Sequence, residues 1–194
     1  MPRHRRRVVA EVFMLNACRF LLIVSVGLVS THVRVEGQAI PNEYRLKAAF
    51  MYQFPQFVEW PSATMQDAQE VQLCIASPNP FGSELEQLVR GESLNGRPLS
   101  VREIAGSDEL VGCHVLFVGA RSDVAAPVLR AAAGRPILTV GEADRFLESG
   151  GIIAMKIVDG RVRFVVNAKN AARNGLRISS QLLGLALTVR EGPP

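Results

Sequence analysis

The stretch GGIIAMKIVDGRVRFVVN, Gly150 to Asn167, limits the possible folds more than any other part of the chain. Ile152 to Val158 and Arg161 to Val166 are apolar-rich runs with only Asp159-Gly160 between them. An Asp-Gly pair supplies the positive backbone angles of a two-residue turn, so the runs should be antiparallel neighbours in a sheet. Strand residues point alternately to opposite faces, which sends Arg161 and Arg163 to the same side. The earlier apolar runs are differently linked. Val71 to Ala76, Pro98 to Ile104, Cys113 to Val118 and Ile137 to Val140 read as strands, with helical segments at 83–89 and 122–133 and turns at Asn79-Pro80-Phe81-Gly82 and Asn95-Gly96. Further helices are expected at 42–58, 142–148 and about 169–189. The expected fold is α/β: a single-domain mixed β-sheet of about five to six strands, flanked by helices on both faces.

Residues 1–37 stand apart and read as a secretory signal peptide, with the domain occupying 38–194. Arg3, Arg5, Arg6, Arg7 and Arg19 form a positive start, and Phe20 to Val29 is an apolar run followed by small and polar residues. The run is shorter than the roughly 20 residues of a membrane span. Cleavage is expected near 37–39, with an uncleaved anchor as the alternative. Met14 offers a second start, since Met14 to Ala39 alone has the form of a conventional signal.

Removing this segment changes the charge argument. Of 22 basic and 18 acidic residues, six arginines and two glutamates lie in 1–37, which leaves 16 of each. The remainder is neutral overall and gives no support for a nucleic-acid-binding stripe. Its two cysteines, Cys74 and Cys113, read first as a disulfide in an exported protein, with two buried thiols as the alternative.

The remaining residues carry little catalytic signal. His114 is the only histidine after residue 37 and sits in an apolar strand, where a structural role is the simpler reading. Cys113 and His114 are adjacent on a strand and should point to opposite faces. The turn Gly119 to Ser122 lacks the glycine spacing of a nucleotide site and reads as an ordinary strand-to-helix connection. No catalytic, metal or cofactor residues are assigned.

Residues 42–58 concentrate the aromatics. Leu46, Ala49, Phe50, Phe54 and Phe57 recur at three- and four-residue steps and should face the core, with Arg45 and Lys47 off that stripe. Asn42 reads as the helix cap, and Pro55 should interrupt the helix. Tyr52 and Trp60 fall less neatly on the stripe. Together with Arg161 and Arg163 they are the candidate partner surface, because aromatics and arginines supply binding hot spots; the alternatives are core packing for the two aromatics and a solvated face for the arginines. In the C-terminal segment, Asn167 can cap a helix.

EYRLKAAFMYQFPQFVEWP, CHVLFVG, ILTVGEADRFLESGGIIAMKIVDGRVRFVVN and AARNGLRISSQLLGLA together resemble the YfiR family of exported proteins, from about residue 43 to 189. The resemblance implies a small periplasmic α/β domain with no catalytic set. It implies a non-enzymatic regulator that binds the periplasmic domain of an inner-membrane signalling protein. The expected partner is a diguanylate cyclase, whose repression lowers cyclic-di-GMP and biofilm formation. The alternative target is another sensor protein, and a homodimer is a further expectation. Two readings compete with this one. A periplasmic small-ligand-binding sensor would use a crevice at the strand ends. A hydrolase would need an unrecognised site, and the single histidine argues against the common mechanisms.

Overall fold

The computed structural model describes residues 41–191. The segment read as a signal peptide, 1–37, lies outside them. The described part contains six α-helices and an eight-stranded mixed sheet.

The first helix, α1 (Asn42–Gln53), begins behind Pro41, which occupies the cap position, and Asn42 makes no side-chain cap bond. It gives way to a 3-10 turn over Phe54–Phe57, as Pro55 requires. Its buried face is not the expected stripe. Lys47, Ala48 and Met51 are buried, whereas Leu46 is 46% exposed and Ala49 is exposed. The helix is turned by about one residue, roughly 100°, because Lys47 has a buried carboxylate partner, Glu142. The aromatic expectation holds in part. Phe54 is buried, Phe50 and Phe57 are partly buried, and Phe50 and Phe54 both pack on Phe164 at 5.8 and 5.2 Å between ring centres.

Beyond it come β1 (Val58–Glu59), α2 (Ser62–Gln66), β2 (Val71–Ala76), α3 (Glu84–Val89), β3 (Ser93–Leu94), β4 (Arg97–Ile104) and β5 (Cys113–Val118). The chain continues through α4 (Ala125–Ala132), β6 (Leu138–Gly141), β7 (Ile153–Val158) and β8 (Arg161–Asn167). It ends with α5 (Ala168–Arg173), β9 (Arg177–Ile178), α6 (Ser180–Leu185) and β10 (Thr188–Arg190). The sheet order is β10-β8-β7-β6-β5-β2-β4-β3, and β1 pairs with β9 in a separate two-stranded ribbon. Strands β4, β2, β5, β6 and β7 run parallel, β7–β8 is antiparallel, and β10 lies parallel to β8.

The sheet is wider than the five to six strands expected from sequence. The extra strands, β3 and β10, are two and three residues long. They are too short to show alternation, and they form because a longer neighbour presents its edge.

Alternation divides the core into two layers. Leu73, Ile75, Val115, Phe117, Leu138, Val140 and Phe164 face α1 and α3, while Cys74, Ala76, Leu116 and Val118 face α4. Helices therefore cover both faces, as a mostly parallel sheet requires.

Two helical expectations fail for identifiable reasons. Residues 142–148 form turns, because Phe146 is clamped between Gly141 and Gly151; a Cβ at either glycine would overlap its ring. The segment 169–189 is broken at Gly175, whose φ of 73° ends α5, and Leu187 returns to the sheet by donating to the Phe164 carbonyl at 2.9 Å. Asn167 does cap α5, its side chain accepting from the Asn170 amide at 2.9 Å. Asn170 and Asn174 are buried and donate to the carbonyls of Leu147, Gly151, Ala132 and Ile137, so this short helix fastens three connections.

Candidate functional site

Three places concentrate chemistry: a buried ion cluster, a disulfide and an exposed hairpin edge. The cluster lies where β5 and β6 end. Glu142 follows β6 and its carboxylate receives the Lys47 ammonium, the Tyr44 hydroxyl at 2.9 Å and the Ala120 amide at 3.0 Å. Lys47 also pairs with Glu43 one turn back and lies 4.7 Å from the centre of the Tyr44 ring. Burial, and then the bond to Glu142, pushes the Tyr44 hydroxyl up to about 12. The cluster borders a cavity of about 360 Å³ that Met155, Lys156 and Ile157 also line. Because Glu142 holds the Ala120 amide, this strand-to-helix turn does not offer that donor to an anion. Sequence reading missed the cluster; the Glu43–Lys47 spacing, four residues on a helix, was its one local signal.

The disulfide joins Cys74 on β2 to Cys113 on β5, with Cα atoms 5.8 Å apart. It staples two adjacent parallel strands that are 39 residues apart in sequence. The Arg102 guanidinium lies 3.7 Å from the Cys113 sulfur and donates to the carbonyls of Glu109 and Val111 at 2.8 and 3.0 Å. His114 is buried and its Nδ1 accepts the Gln72 amide at 3.2 Å. Burial lowers its pKa, so it stands neutral as a structural acceptor.

The four candidate surface residues do not converge. Tyr52 is half-buried and donates to Glu92 at 2.8 Å, beside the β3 edge of the sheet. Trp60 is half-buried and donates to the Pro136 carbonyl at 3.0 Å, just ahead of β6. Both ring systems pack against the core. Arg161 and Arg163 lie instead at the far edge, exposed on the same side of β8, with Val162 and Phe164 turned inward. Leu187, 47% exposed, lines a groove with both arginines. Among the described residues, neither arginine forms an ion pair, and neither does Lys156.

A mixed α/β sheet braced by one disulfide, with an exposed basic pair on an edge hairpin, defines a small α/β domain. No helix among the described residues is long and apolar enough to cross a membrane. The chain belongs to the YfiR/HmsC-like family, whose model matches residues 44–187. Among solved structures it is similar to a conserved domain protein from Vibrio cholerae, at 10% identity and a TM-score of 0.44. It is also similar to an ABC domain from Streptococcus pneumonia in complex with L-Trp, at 12% identity and a TM-score of 0.48. Each likeness covers 76% of this chain and 60% of the other.

Proposed function

We propose that this chain is an exported, non-enzymatic regulator that binds the periplasmic domain of an inner-membrane signalling protein. Its target is a diguanylate cyclase, and binding holds that enzyme inactive, lowering cyclic-di-GMP and biofilm formation. Membership of the YfiR/HmsC-like family across residues 44–187 carries this reading. The exposed Arg161 and Arg163, without carboxylate partners among the described residues, support a protein-binding role. Repression is a population shift: the regulator binds the inactive state of its target more tightly than the active one.

The test is crosslinked capture from the cell envelope that produces the chain, with the bound proteins identified. The expected product is a membrane protein with a periplasmic sensor and a cytoplasmic cyclase domain, and loss of the chain should raise cyclic-di-GMP. Capture of a histidine kinase would keep the regulator and change its output. No captured protein, with unchanged cyclic-di-GMP, would overturn the reading. The cavity beside Tyr44 and Glu142 would then become the place to test for a small ligand.

A further inference from the structure

We infer that the outer edge of β8, from Arg161 to Phe164, takes an acidic extended segment of the regulated protein as an added strand. This rests on the regulator reading above and names the chemistry of its contact. The hairpin is fully formed: Asp159 and Gly160 have φ of 50° and 68°, and β7 pairs with β8 from Arg161 to Val166. On the other side, β10 reaches β8 only from Val165 onward, and the Leu187 bond to the Phe164 carbonyl is the first link. Among the described residues, no strand flanks Arg161 to Phe164 on that outer side.

The backbone there is poised to pair. In a two-residue hairpin the closing pair, Val158 and Arg161, exchanges hydrogen bonds, and alternate pairs follow. The amide and carbonyl of Val162 therefore turn outward. Its side chain is only 9% exposed, so the strand is anchored while its edge is open. A groove of about 360 Å³ runs along this edge, lined by Val158, Asp159, Arg161, Arg163 and Leu187.

Charge selects the occupant. Lys156 is the cross-strand partner of Arg163, and Arg161 lies on the same face. Among the described residues, Asp159, in the turn, is the only acid lining the groove. A second copy pairing edge to edge would bring these arginines against their own kind, which destabilises a sheet. An incoming strand with acids at every second position would meet the cations, and apolar residues between them would lie on the side of Val162 and Phe164. Strand addition of this kind takes affinity from main-chain bonds and specificity from alternate side chains.

The experiment adds an alternating Glu-Val octapeptide, or its Lys-Val counterpart, to the full-length protein and follows amide hydrogen exchange. The expected result is slowed exchange at Val162 with the acidic peptide only. In Arg161→Glu/Arg163→Glu the preference should swap to the lysine peptide. Unchanged exchange at Val162 with both peptides would overturn the inference. So would slowing that grows with the protein's own concentration, which marks a second copy. Binding to phosphatidylglycerol vesicles in place of the peptide would assign the patch to a membrane and also overturn it. Crosslinked capture separates the two levels. If the double variant still captures the membrane signalling protein, the regulator stands and this edge is not its contact. If the unaltered chain captures none, the regulator reading itself fails.

Discussion

Lys47 and Arg163 both stand toward the end of the sheet where the parallel strands finish, yet they are built in opposite ways. Lys47 is 3% exposed and held between Glu43 and Glu142. Arg163 is exposed and, among the described residues, holds no carboxylate. A buried charge is tolerated only when paired and hydrogen-bonded. The Lys47 cluster is closed in that sense, with each Glu142 oxygen occupied. The difference teaches where to look for function: the satisfied cluster positions α1 on the sheet, and the unsatisfied edge is left for something else to complete.

The largest expected effects come from opening what is closed. Lys47→Met leaves Glu142 buried with one fewer counter-charge and should cost about 3–5 kcal/mol in chemical denaturation, as for other broken buried pairs. A loss below about 1 kcal/mol would mean that the cluster is solvated and the contrast with Arg163 is false. Cys74→Ser should cost a similar amount, roughly 4 kcal/mol in the chain-entropy model for a loop of this length. An unchanged melting temperature would remove the disulfide from the account of stability. Gly141→Ala forces a methyl group into the Phe146 ring and should cost about 1–3 kcal/mol.

A subtler expectation concerns alkaline pH. The Tyr44 hydroxyl is raised from its ordinary value of 10.0 to about 12, so the folded state keeps a proton that the unfolded chain releases. Its stabilising contribution is complete below pH 10 and is lost as pH rises from 10 toward 12. Denaturation midpoints should fall over that window, and Tyr44→Phe should flatten the fall. The smallest expected effect on stability is at the open edge. Arg161→Glu/Arg163→Glu should change it by no more than about 0.5 kcal/mol, since both side chains project into solvent.

Much of this architecture was legible in the sequence because it follows from local rules. The Asp159-Gly160 turn pointed to β7–β8 pairing, and the short apolar runs at 71–76, 113–118 and 137–140 read as buried strands. The register of α1 was not legible. Its apolar pattern pointed Leu46 and Ala49 inward, and what overrode it was Glu142, 95 residues away from Lys47. The break in the C-terminal segment was half visible in Gly175. The return of Leu187 to the sheet depended on the free edge of β8, which no local pattern encodes. The surface residues divide similarly. Alternation alone put Arg161 and Arg163 on one face, whereas nothing near Tyr52 or Trp60 announced their bonds to Glu92 and Pro136.

The central claim is that the open edge of β8 carries the regulated partner while the closed cluster carries only the fold. The most direct measurement is crosslinked capture of the membrane signalling protein by Arg161→Glu/Arg163→Glu, with its melting curve recorded alongside. The account predicts an unaltered melting temperature and loss of the captured protein. Full capture by a folded double variant would contradict it.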